Sequence, residues 1–176
     1  MIRFALGLSL LLVSGSAQAA LARGAVAPDF TTQGALAGKP FPFSLKQALK
    51  KGPVVLYFFP AAFTPGCTIE AHEFAEATPE FNRLGATVVG VSADSIDKLQ
   101  RFSVEECRNK FAVATATPAM IKAYDVALQV RPGMTNRTSY VIAPNGKIVH
   151  AYTAMSPQGH VSGTMAAVKK WKAGRK

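Results

Sequence analysis

Cysteine is scarce here: 176 residues hold two, Cys67 and Cys107, forty positions apart. That excludes a disulfide-dense scaffold. It also excludes a C-x-x-C redox pair, because Glu70 stands where the second thiol would have to be. Acidic residues are scarce as well, 10 against 20 lysines and arginines, for a net charge of +10. The excess gathers at Lys50-Lys51 and in the tail from Lys169-Lys170-Trp171-Lys172 to Arg175-Lys176. Such a surface attracts anionic envelope components or nucleic acid at long range. No nucleic-acid motif accompanies it, so a solvated basic face is expected, and no nucleic-acid partner. Internal repeats, low-complexity tracts and charge blocks long enough to make a disordered tail are missing. So is any long apolar run. Phe4 to Val13 is ten residues, too short to cross a bilayer as a helix, so no stable membrane insertion is expected.

That short run has another reading. Arg3 precedes it and Ala17-Gln18-Ala19 follows, a small-x-small cleavage site. The pattern predicts a signal peptide over residues 1–19, cleaved to leave a mature chain from Ala20. No Cys follows the run, so lipoprotein processing is not indicated. Loss of Arg3 takes the net charge from +10 to +9. Residues 20–176 suit one domain. With 49% of the chain apolar, it can bury a core without disulfide staples or a structural metal. The expected destination is across the inner membrane, in the periplasm. In such an oxidising compartment the default reading of two cysteines is a disulfide.

What the chain does have is regular patterning. Val54-Val55-Leu56-Tyr57-Phe58-Phe59 is a continuous β-branched and aromatic run, the mark of a strand buried on both faces. Pro60 stops it. From Cys67 to Leu84, Phe74, Ala77, Phe81 and Leu84 recur at helical spacing. Ala86 to Val91 reads as a second buried strand, and Asp94-Ser95 opens a helix with Ile96, Leu99 and Phe102 inward. A short strand at Phe111 to Ala114 and a short helix at Pro118 to Tyr124 follow. Ser139 to Ala143 and Lys147 to Tyr152 flank Asn145-Gly146, a type I′ hairpin signal. A last helix is expected from Gln158 to Trp171. The order β-α-β-α-β-α-β-β-α predicts an α/β fold, a mixed central sheet flanked by helices on both faces. Pro28, Pro40 and Pro42 mark Ala25 to Leu49 as short edge strands or loop.

Cys67 stands where the first buried strand gives way, through a proline-interrupted loop, to a helix. Unpaired N–H groups of a first helical turn and the helix dipole favour negative charge there, which lowers a thiol's pKa. Thr64, three residues earlier, offers a hydroxyl that can donate to the sulfur and accept from a bound peroxide. Gly66 lets the backbone come close. Thiolate attack on an O–O bond needs alignment and donors for the charge growing on the departing oxygen. The amides of Gly66 and Cys67, the Thr64 hydroxyl and one arginine could supply them, with no metal and no organic cofactor.

The stretch Pro60-Ala61-Ala62-Phe63-Thr64-Pro65-Gly66-Cys67 matches, at each fixed position, the PxxxTxxC pattern of the peroxiredoxins. Thr68-Ile69-Glu70-Ala71 resembles the bacterioferritin-comigratory, or Q-type, subfamily. Ala27-Pro28-Asp29-Phe30 is similar to the superfamily's opening signature. Arg137-Thr138-Ser139-Tyr140-Val141-Ile142 resembles the segment where an active-site arginine precedes a strand. The resemblance runs from about Gly24 to Trp171. It implies a thioredoxin-like fold and reduction of hydrogen peroxide or organic hydroperoxides. It also implies a thioredoxin-like or small-thiol reductant of the envelope, and a monomer. Residue by residue it makes Cys67 the peroxide-attacking thiol, with Thr64 and Pro60 shaping its pocket and Arg137 holding the thiolate and polarising the peroxide. Arg131, in a turn-like Arg-Pro-Gly context, is the competing cation. Glu70 either supports Arg137 or is only a first-turn acid favoured by the dipole.

The resemblance breaks at His72, where many Q-type relatives carry a resolving cysteine. An imidazole cannot form a disulfide, and His72 is expected as an exposed helical residue. Cys107 is then the candidate resolving thiol. On an unbroken helix from Ile96 it would share that residue's buried face, yet its context, Glu105-Glu106-Cys107-Arg108-Asn109-Lys110, reads as an exposed helix end. Resolution by Cys107, a one-cysteine cycle with an external thiol, and a permanent structural disulfide all stay open. A non-catalytic peroxide sensor, a thioredoxin-like oxidoreductase and a cysteine hydrolase are the rival functions. No third group visibly orients His72, His150 or His160, which counts against the hydrolase.

Overall fold

The computed structural model describes residues 20–174. The expected signal peptide, residues 1–19, and the tail residues Arg175 and Lys176 lie outside the described residues. Seven strands form one sheet: β1 (Thr31–Leu36), β2 (Lys39–Ser44), β3 (Val54–Phe58), β4 (Thr87–Ser92), β5 (Ala112–Thr115), β6 (Thr138–Ile142) and β7 (Ile148–Thr153). Their spatial order is β2-β1-β5-β4-β3-β6-β7. The pairs β3–β4 and β4–β5 are parallel, the others antiparallel. The mixed sheet expected from the sequence is what forms.

Every residue of β3 is buried, and the strand's alternation divides the core. Val54, Leu56 and Phe58 face a layer with α1 (Leu45–Leu49) and α4 (Pro118–Ala123). Val55 and Tyr57 face the opposite layer, which holds α2 (Pro65–Arg83), α3 (Ile96–Glu105) and α5 (His160–Ala173). Helices thus cover both faces, and the second layer contains both cysteines. Among the described residues no helix is long and apolar enough to cross a membrane.

The N-terminal segment is more ordered than the prolines suggest. β1 and β2 make a hairpin at the sheet edge, and Pro40 and Pro42 lie on β2, the outermost strand, where a missing N–H costs no ladder bond. Its two-residue turn, Ala37-Gly38, has φ of 50° and 77°, the left-handed pair a type I′ turn demands. The turn at Asn145-Gly146 is a correction to the type I′ expectation. Gly146 has φ 79° but Asn145 is not left-handed, and the Gly146 N–H donates to the Ala143 carbonyl at 2.8 Å. Pro144 fixes the φ of a type I turn's second position, and left-handed Gly146 closes it.

Candidate active site

The helix that carries Cys67 begins two residues earlier than its apolar spacing implied. Pro65 occupies the first helical position, where a residue without an N–H is tolerated, and Thr64 is the N-cap. The first intrahelical bond runs from the Thr68 N–H to the Thr64 carbonyl, 2.9 Å, so the N–H groups of Gly66 and Cys67 have no partner within the helix. The Thr64 side chain makes no capping bond. Its hydroxyl donates instead to the Ala61 carbonyl at 3.0 Å, and the residue is exposed. The expected donation from Thr64 to the sulfur is therefore replaced by a bond inside the loop, which leaves the oxygen free to accept.

The loop before the helix is pinned from three sides. The Ala62 N–H donates to Asp94 at 2.7 Å, and Asp94 also receives Ser92 and Lys98. The Thr135 hydroxyl donates to the Phe59 carbonyl at 2.6 Å. Phe63 packs edge-on against Phe102, centroids 5.2 Å apart, while the Arg101 guanidinium lies 5.4 Å over its ring. Phe63 holds φ 66°, a left-handed conformation that a bulky residue keeps only when its surroundings force it.

Cys67 is a free thiol, 1% exposed. Arg137, buried just ahead of β6, donates from Nη2 to the Cys67 Sγ at 3.4 Å and from Nε to the Met155 carbonyl at 3.0 Å. Its Nη1 donates to Oε2 of fully buried Glu70. A Cβ on Gly66 would stand 3.2 Å from Arg137 Nη2, so glycine is what lets the guanidinium lie against the helix start. Arg131, the competing cation, is exposed. Burial works against the Arg137 charge, but Glu70 and Cys67 outweigh it and its pKa rises. Burial pushes the Glu70 carboxyl up to about 8, against the pull of Arg137. Glu70 is thus tied to Arg137 and is no exposed first-turn acid. Pro60 is half-buried at the end of β3.

Cys107 is a second free thiol, so no structural disulfide joins the pair here. The helix expected to carry it ends at Glu105, and Cys107 sits in the following turn with its N–H bonded to the Phe102 carbonyl at 3.0 Å. Its neighbours Arg108, Asn109 and Lys110 are exposed as the polar context suggests, but the sulfur is turned inward and fully buried. Burial first, then the charge of Glu106, raises its pKa well above the ordinary thiol value. A hydrogen bond and an ion pair tie this turn to α2. His72 Nε2 meets Glu106 at 2.7 Å, and Arg108 meets Glu76 at 3.2 Å. His72, expected as a bystander, is a half-buried fastener.

Three participants were missed from the sequence. His160, fully buried, places Nδ1 2.7 Å from the Ser139 hydroxyl and 3.7 Å from Glu70 Oε1, with Nε2 3.0 Å from the Ala154 carbonyl. Ser139 was legible in part, since strand alternation puts it on the face of Arg137. Tyr57 stacks on Phe74 at 4.3 Å, and its buried hydroxyl has no partner among the described residues. Burial, then Cys107, Glu70 and Cys67, drive its pKa up, so the phenol stays neutral between the two sulfurs' fields.

A thioredoxin-like sheet with a buried thiol at a helix start, faced by a guanidinium, defines a class: the thiol peroxidases. Residues 23–151 match the AhpC/TSA family. Peroxiredoxin Bcp of Xanthomonas campestris pv. campestris is 31% identical over 122 residues, 66% of this chain and 76% of that protein. The chloroplastic peroxiredoxin Q of Sedum lineare is 29% identical over 155 residues, 88% and 81% of the two chains. The crystal structure of peroxidoxin BcpB from Mycobacterium tuberculosis superposes with a TM-score of 0.75 at 30% identity, covering 84% of this chain and 96% of the other. The chain belongs to the AhpC/TSA family: it is a peroxiredoxin of the thioredoxin-like superfamily, a thiol-dependent peroxidase related to the Bcp and Q-type proteins.

Proposed function

We propose that Cys67 is the peroxide-attacking thiolate and that Cys107 resolves it. The carrying observation is the Arg137 Nη2 to Cys67 Sγ approach of 3.4 Å at the start of α2. The thiolate attacks the terminal oxygen of the peroxide, an S–O bond forms and the O–O bond breaks. The departing oxygen leaves with the bonding pair and takes a proton from solvent, giving water or an alcohol and a Cys67 sulfenic acid. The amides of Gly66 and Cys67 and the Arg137 guanidinium are placed for the negative charge of that step, with Thr64 as an acceptor at the mouth and Pro60 walling the pocket.

In the second step the Cys107 thiolate attacks the sulfenic sulfur, a disulfide forms, and hydroxide leaves to become water. The two sulfurs are free here, and a bond between them needs their Cα atoms within about 7 Å, an approach that motion of the two turns can supply. The uncapped first turn of α2 is the element that can unwind, and the side-chain contacts from His72 and Glu76 keep the Cys107 turn on the same helix. A dithiol of thioredoxin type then returns two electrons. The targeting pattern at residues 1–19 supports action in the periplasm with an envelope reductant, and the Q-type resemblance supports a monomer.

Cys67→Ser should abolish peroxide consumption; near-normal turnover in that variant would end the assignment. Mass spectrometry after one equivalent of peroxide should find a Cys67–Cys107 disulfide. A persistent sulfenic acid, or a mixed disulfide with added thiol, would replace Cys107 by an external resolving thiol.

A further inference from the structure

Glu70 has two carboxyl oxygens and only one is satisfied. Oε2 receives Arg137, while Oε1 is buried without a hydrogen-bond partner. His160 Nδ1 stands 3.7 Å from it, beyond hydrogen-bond range but well within Coulomb's reach. The ring's tautomer follows from its other neighbour. Nε2 lies 3.0 Å from the Ala154 carbonyl, which can only accept, so Nε2 carries the proton. Nδ1 is then bare, and the Ser139 hydroxyl donates to it at 2.7 Å. The electron-rich end of a neutral imidazole therefore faces Glu70 Oε1. An ionised oxygen there is repelled, and a protonated one is attracted.

The charge state of Glu70 decides what Arg137 can do for the sulfur. A Glu70 carboxylate neutralises the guanidinium before Cys67 can use it. A neutral Glu70 still accepts the Arg137 N–H bond but leaves its positive charge to the thiolate. We propose that His160 is a positioning residue of the peroxidase site, which holds Glu70 in its neutral form through the bare Nδ1 and so reserves the Arg137 charge for Cys67. This rests on Cys67 being the reacting thiol.

Burial raises the Glu70 carboxyl to about 8 and lowers the His160 ring to about 4, which agrees with a proton on the first and none on the second near neutral pH. The titratable groups around the pair are Arg137 ahead of β6, Cys67 and Glu73 on α2, Tyr57 on β3, and His150 and Tyr152 on β7. Of these, Glu73 adds negative charge that also favours a neutral Glu70, and burial lowers the His150 pKa.

The test compares the full mature chain with His160→Gln, Glu70→Gln and the double variant. One readout is the ultraviolet thiolate absorbance that Cys67→Ser removes; the other is the pH profile of peroxide consumption. In His160→Gln the side-chain amide can turn an N–H toward Oε1 and favour the ionised form. The Cys67 titration midpoint should then move up by about one pH unit, with consumption about tenfold slower at pH values below the unmodified protein's midpoint. Glutamine at position 70 mimics the neutral carboxyl, so the double variant should return to the Glu70→Gln profile. An unmoved midpoint in His160→Gln, or a double variant displaced as far as that single one, overturns the proposal. Should His160→Gln fail to fold, infrared spectroscopy of the unmodified protein decides. The protonated-carboxyl band that Glu70→Gln deletes must be present at pH 7; an ionised Glu70 there sinks the idea. Peroxide consumption surviving Cys67→Ser would instead remove the thiol assignment beneath it.

Discussion

Replacing Glu70 by glutamine should change how the stability of the fold depends on pH, in a window fixed by two buried groups. Glu70 moves up from an ordinary value of 4.5 to about 8, so the fold prefers its neutral form. Its contribution is whole below pH 4.5 and is lost as pH rises through 8. His160 moves the other way, from 6.5 to about 4, and the fold prefers its neutral ring. That contribution is whole above pH 6.5 and is lost as pH falls through 4. Between 4.5 and 6.5 the folded chain keeps one proton on Glu70 while the unfolded chain keeps one on His160. The two slopes cancel there. Between 6.5 and 8 the Glu70 proton alone remains, and stability falls by about 1.4 kcal/mol per pH unit, roughly 2 kcal/mol over the window.

Urea denaturation of the reduced protein at closely spaced pH values measures this, read as the difference between unmodified chain and variant so that every other group drops out. Against Glu70→Gln the difference should slope only where Glu70 titrates. The variant itself should gain stability from pH 4 to 6.5 and lose the decline above it. In His160→Gln the decline should begin near pH 4.5 instead of 6.5 and, because the glutamine amide favours the ionised Glu70, end below pH 8. A flat difference between unmodified protein and Glu70→Gln from pH 6.5 to 8 would refute a neutral buried carboxyl. A difference flat above pH 4.5 that instead rises with pH below it would show that Arg137 holds Glu70 ionised.

Three further substitutions probe separate parts of the reasoning. Arg137→Met removes a charge-assisted bond worth about 1.5–3 kcal/mol, so the Cys67 titration midpoint should rise by one to two pH units; an unchanged ultraviolet titration would clear Arg137 of any role at the sulfur. Cys107→Ser should leave a single turnover of peroxide intact but stop recycling by a dithiol, and unimpaired recycling would show that another thiol resolves. Ala37→Gly relieves a left-handed alanine in the β1–β2 turn and should stabilise the fold by up to about 1 kcal/mol in denaturant titration; a loss of stability would mean the alanine's restriction of the unfolded chain outweighs the strain.

The sheet was legible because its central strands are one-sided neither in burial nor in sequence. Val54 to Phe58 is apolar throughout because both faces are covered, and helical spacing after Cys67 is long enough to outvote local noise. The hairpin at Ala37-Gly38 was hidden, since alanine carries no signal for a left-handed turn, while Asn145-Gly146 carries a strong one that Pro144 overrides. Arg137 and Glu70 were reachable from motif spacing. His160 was not, because its partners come from α2, β6 and the segment after β7, and only packing brings them together. Cys107 failed a simpler inference. Extending the helix past Glu105 overran its true end but gave the right burial, whereas the exposed charges around Cys107 concealed a sulfur turned inward.

The departures from local rules converge on one sulfur. Thr64 is an N-cap that does not cap, Phe63 is held left-handed, Tyr57 and Glu70 each bury an unsatisfied oxygen, and His160 is buried beside an arginine. Each costs stability on its own, and the aromatic stack of Tyr57, Phe74, Phe59 and Phe102 with the rigid sheet beneath can hold them in place. The costs are not spread evenly, however. Arg137 ahead of β6, Glu70 further along α2 and His160 at the start of α5 are fixed by buried partners from several elements, whereas the first turn of α2 is held by few bonds and ends in solvent at Thr64. A site built this way keeps its charge arrangement while the thiol's own turn comes loose. Attack on peroxide needs the first property and disulfide formation needs the second, so capping Thr64 more firmly would speed neither step and would slow resolution.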